Sequence, residues 1–195
     1  MNIFENTQNV HFILSSQSPR RQEIFNSLGL DHSIRPIEID EYFSDRLKAG
    51  EIPQYLAIQK ARPHEGRISE NEVLITADTV VWINDHALNK PVDLNEARKM
   101  LREISGNKHT VYTAVCLTTT NKQHSFVEGT DVYFHDLNES EIDYYLSKYA
   151  PLDKAGAYGI QEFIGYIGIK KVDGDFYNVV GFPVQRFWKE LSQFL

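Results

Sequence analysis

Cysteine is almost missing from this chain. Cys116 is the single one among 195 residues, so no internal disulfide can form and a cysteine-based metal centre has no ligands. Long apolar runs are also missing: none approaches the ~18–20 residues that a membrane-spanning helix needs. The opening stretch MNIFENTQNVHF has no basic flank followed by an apolar segment, so it does not read as a secretory signal. Positive charge is in short supply, with 20 Lys and Arg against 27 Asp and Glu for a formal net charge of −7. That balance excludes the basic footprint expected of a duplex nucleic-acid binder. Neither GxxxxGK[ST] nor GxGxxG occurs, which removes the P-loop and dinucleotide fingerprints. HExxH, a Cys/His cluster and a serine-triad order are absent as well. The expectation is a soluble cytoplasmic protein without nucleic-acid or membrane partners, and an anionic substrate would need a local cluster of cations.

What is present is ordinary globular material. The chain is 42% hydrophobic and 12% aromatic, enough to build a core rather than remain disordered. Gly and Pro are dispersed and no repeat or linker is visible, so residues 1–195 read as a single domain. Strand-type runs alternate with helical patterns, which points to an α/β or mixed α+β fold. His11–Ser15 reads as a strand. Ser18 is a good N-cap with Pro19 at the first helical position and Gly29 just past the end. Ile34–Ile39 looks strand-like. A second helix begins near Pro53 and stops at Pro63. Val73–Thr76 and Val80–Ile83 read as two strands around Asp78. A third helix starts at Asp93, with Glu96 completing a capping box, and ends near Gly106. Thr110–Thr119 and Ser125–Phe134 read as long, paired strands. Asn138 and Glu141 form a second capping box for a helix to about Tyr149. Short strands near Ile164–Val172 and Asn178–Val180, then a helix after Pro183, complete the pattern.

Ser15-Ser16-Gln17-Ser18-Pro19-Arg20-Arg21 is the segment richest in chemistry. A helix N-terminus offers free N–H groups and a partial positive charge, which suits phosphate. Arg20 and Arg21 in that first turn oppose the helix dipole, so stability alone would not place them there. Local sequence is equally compatible with a capped helix carrying two solvated arginines. Asp78 is either at a strand end facing a cleft, where it could bind a metal or orient water, or in a turn. Asp40 and Glu41 alone read as a solvated loop, and Lys60 and Lys90 alone as surface lysines. Asp153-Lys154-Ala155-Gly156-Ala157-Tyr158-Gly159-Ile160-Gln161 is rich in small residues that allow close backbone approach. Gln161 has both a donor and an acceptor with which to read a base edge.

In order and spacing, these segments resemble the Maf family of nucleoside triphosphate pyrophosphatases. The resemblance runs from Phe12 to Phe187, through the serine–arginine segment, Asp40-Glu41, Lys60-Ala61, Ala77-Asp78-Thr79-Val80-Val81 and Lys90-Pro91. It continues through Ser105-Gly106, His109-Thr110-Val111-Tyr112-Thr113, the Asp153–Gln161 stretch and Gly174-Asp175-Phe176-Tyr177-Asn178-Val179-Val180-Gly181-Phe182-Pro183. Residues 1–10 then stand as an N-terminal extension to one Maf-like domain. Pro63–Ser69 reads as an altered connection, Phe182 replaces the usual Leu, and Glu162 stands where the family usually has Gly.

The resemblance implies an elongated, mixed-sheet α/β fold related to the inosine triphosphate pyrophosphatases, with two lobes around a central cleft, often as a homodimer. It implies a house-cleaning hydrolysis of a nucleoside triphosphate to monophosphate and pyrophosphate with Mg²⁺ or Mn²⁺. Asp78 matches the family's catalytic acidic residue, the proton acceptor, with Lys60 and Lys90 assisting. Ser15, Ser16, Ser18, Arg20 and Arg21 would hold the phosphates, and Glu41 and Asp78 the metal. Arg20, Thr79 and Gln161 match the combination that marks the dTTP/UTP branch. The alternatives are a pyrophosphatase for 7-methyl-GTP or a non-standard purine nucleotide, and a nucleotide-binding regulator of cell division. Four cations, Arg20, Arg21, Lys60 and Lys90, are expected to overcome the net charge locally.

Overall fold

The computed structural model describes residues 7–195; residues 1–6, most of the expected extension, lie outside the described residues. A seven-stranded mixed sheet forms the centre, in the order β2-β1-β3-β5-β6-β7, with β4 paired to β3. The strands are β1 (His11–Leu14), β2 (His32–Ile34), β3 (Glu72–Ile83), β4 (His86–Leu88), β5 (Lys108–Thr118), β6 (Gln123–Phe134) and β7 (Ile169–Asp173). β1 lies parallel to β2 and β3, and every other pairing is antiparallel.

Strand β3 determines where the chemistry sits. Its one edge is zipped to β5 from Leu74 to Trp82. Its other edge is shared: β1 pairs with Glu72–Ile75 and β4 with Val81–Ile83. Residues 76–80 therefore have no strand neighbour on that side, and a cleft opens there. The two strands expected around Asp78 are one continuous strand, and Asp78 lies neither at a strand end nor in a turn. The unbroken β5 ladder holds the backbone extended through Asp78, whose partner is Ala114.

Helix α1 (Pro19–Ser27) starts as expected, with the Ser18 hydroxyl accepting from Arg21 N. Phe25 is its buried anchor, edge-on to Phe182 at 5.6 Å between centroids. Burial of a ring that size contributes about 1.5–3 kcal/mol. Helix α2 (Glu51–Ala61) begins slightly before Pro53 and passes into a 3-10 turn, Arg62–His64, where Pro63 ends the regular ladder. Helix α3 (Leu94–Ile104) has Asp93 as its N-cap, but Glu96 reaches back to Val92 N rather than to the cap's own N–H. Helix α4 (Glu139–Tyr149) has the full capping box.

Three expected strands differ. The strand expected over Ile34–Ile39 lies earlier, at His32–Ile34, and shares only Ile34 with it; Pro36 lacks the donor a ladder needs, and Ile37 and Ile39 line the cleft. Phe163–Gly168 is a helical turn, α5, and the strand starts only at Ile169. Its buried Gly165 leaves no room for a side chain, since a Cβ would lie 2.3 Å from Ile160 O. Phe176–Val180 is a short helix, α6, capped by Asp175, whose carboxylate accepts from Tyr177 N at 2.8 Å. The closing helix α7 (Val184–Phe194) follows Pro183 as read.

Two large cores reach the cleft, one through Val81 and Ile160 and the other through Ala77. One gathers Val81, Leu101, Ile104, Tyr145 and Ile164 with α3 and α4. The other gathers Phe12, Phe25, Phe182, Phe187 and Leu191 with α1 and α7. Cys116 is fully buried in a smaller cluster with Ile13 and Ala57. Among the described residues, no helix is long and apolar enough to cross a membrane.

Candidate active site

A cleft of about 660 Å³ opens beside the unpaired edge of β3. Its lining includes Ser15, Ser16, Ser18, Arg20, Arg21, Glu41, Lys60, Asp78, Thr79, Lys90 and Gln161. Residues up to 166 positions apart in sequence, Ser15 and Gly181, are thus brought to one cavity. One wall is the loop before α1 with the first turn of that helix. Another wall is the segment Asp153–Glu162, tied to the first by the Arg20–Asp153 ion pair.

Strand alternation sorts the floor. Thr76, Asp78 and Val80 face α2: the Thr76 hydroxyl donates to Ala57 O at 2.6 Å, and Val80 packs on Ile52 and Leu56. Lys60, in the last turn of α2, puts its ammonium 2.6 Å from Asp78 Oδ1 and 2.7 Å from Glu41 Oε1. Lys90 lies 3.7 Å from the other Glu41 oxygen. Burial pushes the Asp78 carboxyl above its ordinary value, and Glu41 adds to this, while Lys60 and Arg21 pull the other way. For Glu41, burial is outweighed by the charge and hydrogen bond of Lys60, with Lys90 and Arg21 behind, so its carboxyl is held below the ordinary value. One carboxyl of the pair is made more basic and the other less so.

Ala77, Thr79 and Val81 face the other way. Arg21 spends three of its five donors here, on Gly181 O at 2.8 Å, Ala77 O at 3.0 Å and Thr79 Oγ1 at 2.9 Å. Thr79 Oγ1 lies 2.9 Å from Thr113 Oγ1, whose proton goes to Asn178 O at 2.9 Å. A hydroxyl has one proton, so the sense of the chain is Arg21 to Thr79 to Thr113 to Asn178 O. Thr79 is therefore a support for Arg21 in this structure. Arg20 lies 3.2 Å from Asp153.

At the far end, Gly156 sits against the sheet with φ of 69°, and a Cβ there would meet Val81 at 2.9 Å. Only glycine combines that close approach with that backbone conformation. Gln161 is exposed and its side-chain amide makes no hydrogen bond among the described residues. Glu162 is held on both oxygens, by Lys154 at 3.1 Å and by the Tyr145 hydroxyl. Its carboxylate is already neutralised inside the wall.

Reading the sequence missed Lys154. It is buried, lines the cleft and touches both Asp153 and Glu162. The signal was the Asp-Lys pair ahead of Ala-Gly-Ala, where the glycines drew the attention. It also missed Thr113 and Asn178, fully buried polar groups beneath the floor. The electrostatic expectation needs correction. The lining holds five cations (Arg20, Arg21, Lys60, Lys90, Lys154) and five carboxylates (Glu38, Glu41, Asp78, Asp153, Glu162). The lining is formally neutral, because the cations that hold the walls together have recruited acids as partners.

Glu41 and Asp78 converge on one cation position, taken here by the Lys60 ammonium. Two carboxylates beside phosphate oxygens form the hard donor set that Mg²⁺ or Mn²⁺ takes, so these residues fit such an ion. Among the described residues no group of three or more His, Cys, Asp or Glu could hold a metal ion, and an ion on this pair would take its remaining oxygens from substrate or water.

The mixed sheet, the open edge of β3 and a serine-lined helix N-terminus opposite an acidic pair define an α/β protein with a cleft suited to a polyphosphate. Residues 11–194 match the family model described as Maf-like protein, and the chain belongs to that family. It is 47% identical over 189 residues to a dTTP/UTP pyrophosphatase of Bacteroides thetaiotaomicron, covering 96% of this chain and 98% of that one. It is 45% identical over 192 residues to a protein of the same name from Phocaeicola vulgatus, covering 98% and 100%. Among solved structures it is similar to the Ham1 protein of Staphylococcus aureus, with a TM-score of 0.52 at 14% identity over 92% of this chain and 98% of that one. That similarity supports the fold.

Proposed function

We propose that this chain hydrolyses dTTP and UTP to the monophosphate and pyrophosphate, with a divalent cation, as a cytoplasmic homodimer. The observation that carries the reaction is the Glu41–Lys60–Asp78 cluster in the open edge of β3, facing the loop before α1 across one cleft. The names of the relatives supply the nucleotides; the homodimer rests on the family resemblance and the compartment on the sequence composition.

The triphosphate lies along the Ser15–Ser18 loop, with Arg20 and the first turn of α1 above it. A triphosphate carries roughly four negative charges near neutral pH. Two unit charges 4 Å apart interact by about 4 kcal/mol at an effective dielectric near 20. A formally neutral cleft cannot supply that compensation unaided, and a bound Mg²⁺ or Mn²⁺ held by Glu41 and Asp78 would neutralise phosphate charge. Water attacks the α-phosphorus, the bond to the α–β bridging oxygen breaks, and pyrophosphate leaves on that oxygen. Asp78 orients the water and takes its proton. Burial raises the basicity of Asp78, which brings it nearer to that task than an ordinary aspartate with a pKa of about 3.9. Before the cation arrives Lys60 holds the Asp78 carboxylate in place and Lys90 steadies Glu41; with the cation between the two carboxylates, the Lys60 ammonium would turn to a phosphate oxygen. The free amide of Gln161 can pair with N3–H and a carbonyl of uracil or thymine.

The experiment is pyrophosphate release from dTTP, UTP, CTP, 7-methyl-GTP and ITP, with Mg²⁺ or Mn²⁺ and with chelator. Cation-dependent turnover led by dTTP and UTP is the expected result. Turnover led by 7-methyl-GTP would overturn the choice of base, and nucleotide binding without turnover would point to a regulatory protein instead.

A further inference from the structure

His64 takes no part in the chemistry above, yet it is a polar side chain 4% exposed behind the Ser15–Ser18 loop. It lies on the turn that continues α2, four residues after Lys60. One helical run thus delivers Lys60 to the acidic pair and His64 to the loop. His64 Nε2 is 2.9 Å from Ser15 Oγ, and Ser15 lines the cleft. Burial, with the nearby charges of Arg67 and Arg35, lowers the pKa of His64, so the ring is neutral at neutral pH, with one donor and one acceptor nitrogen.

The other two serines of the loop follow a rule. Ser16 Oγ accepts from Ser18 N at 3.2 Å, and Ser18 Oγ accepts from Arg21 N at 3.5 Å. Each hydroxyl receives a protein N–H and keeps its own proton for the cleft. We propose that His64 does for Ser15 what the backbone does for Ser16 and Ser18: its Nε2–H donates to Ser15 Oγ, leaving the hydroxyl proton to point at a substrate phosphate oxygen. The opposite tautomer would take that proton and turn a lone pair toward the anion. His64 is then a positioning residue that acts through Ser15. This assignment rests on the reading of the loop as the phosphate wall.

The test measures KM and kcat for dTTP, and the inhibition constant of inorganic pyrophosphate, in four variants. His64→Leu raises KM and the pyrophosphate constant by about three- to tenfold, the range of one hydrogen bond, with kcat nearly unchanged. His64→Gln, whose amide N–H can donate, recovers most of the loss. Ser15→Ala shows the same defect as His64→Leu, and the double variant is no worse than Ser15→Ala, since the two act as one unit. Unchanged constants in His64→Leu, or an equal effect of that change with and without the Ser15 hydroxyl, would overturn the assignment. Should His64→Leu not fold, the residual defect of His64→Gln must vanish in the Ser15→Ala background. If the wild-type chain turns over no nucleotide, the proposed function fails, and calorimetric binding of pyrophosphate to the same variants still decides the role of His64.

Discussion

Replacing Lys60 by Met keeps an unbranched apolar stem of four atoms and removes the charged amine at its tip. The lost ammonium sits 2.6 Å from Asp78 and 2.7 Å from Glu41. Removing one partner of a buried ion pair costs about 3–5 kcal/mol. The Glu41 side chain is 39% exposed, and solvent screens its share, so about 2–3 kcal/mol is expected. In a chain of this size that lowers the melting temperature by about 4–12 °C. The sign with pH follows from Asp78. Burial already raises its pKa and Lys60 is the main opposing influence, so the variant's Asp78 titrates higher still. A group with a folded pKa above the unfolded one contributes stability below the unfolded pKa and loses it as pH rises through the folded value. The destabilisation is therefore largest at alkaline pH and shrinks on acidification. A divalent cation can replace the ammonium between the two carboxylates, so Mg²⁺ raises the melting temperature more in the variant than in wild type. Thermal melts at mildly acidic and alkaline pH, with Mg²⁺ or chelator, read all three effects. Equal melting temperatures at alkaline pH, or an equal Mg²⁺ response, would refute the idea that Glu41 and Asp78 form one cation position.

Three further outcomes are expected. Asp78→Asn lowers kcat by about 10²–10⁴-fold while calorimetry still detects dTTP binding; loss of both would make Asp78 a binding anchor. Gln161→Ala lowers kcat/KM for dTTP and UTP by about tenfold with pyrophosphate inhibition unchanged, because the change is confined to the base end. Glu162→Gln leaves the ranking of bases in the substrate panel as it was, since Lys154 and Tyr145 already occupy both Glu162 oxygens; a shift toward 7-methyl-GTP would show that this carboxylate faces the base.

Much of the architecture was legible wherever local chemistry decides it. Ser18, Asp93 and Asn138 announce helices because a capping side chain satisfies a backbone donor within a few residues, and all three do so. Failures came where distant packing overrides a β-branched run. Val179 and Val180 favour a strand, but the buried Asn178 donates to Val111 O and Thr130 Oγ1 and fixes a helical turn. Asp78 looked like a break because a carboxylate is a poor strand residue, yet Lys60 receives it in mid-strand. The candidate site divides similarly. Residue types and spacing marked the cleft wall, but not the partners of each charge. Nothing local says that Arg21 faces carbonyls, that Thr79 leans on Thr113, or that Lys154 balances Glu162.

The open edge of β3 links the fold to the site. Backbone groups in a buried gap need partners, and residues 76–80 lack a strand on one side. Arg21 from α1 answers Ala77 O, and the Thr76 hydroxyl ties the same stretch to Ala57 O of α2. The two helices that carry the phosphate loop and Lys60 are thus docked on five consecutive residues that also include Asp78. Each helix makes a hydrogen bond with one of the two residues just before Asp78. A polar group placed in the gap therefore meets both helices at fixed positions, and a cleft walled on both sides by cations forms around it. Because those cations must also hold the walls together, they recruit carboxylates, and the cleft becomes neutral. A polyphosphate can enter only by exchanging those partners or by bringing a cation of its own. Of the two acids in the proposed cation position, Glu41 is the one open to solvent and paired with two lysines, so it is the one an arriving ion would meet first.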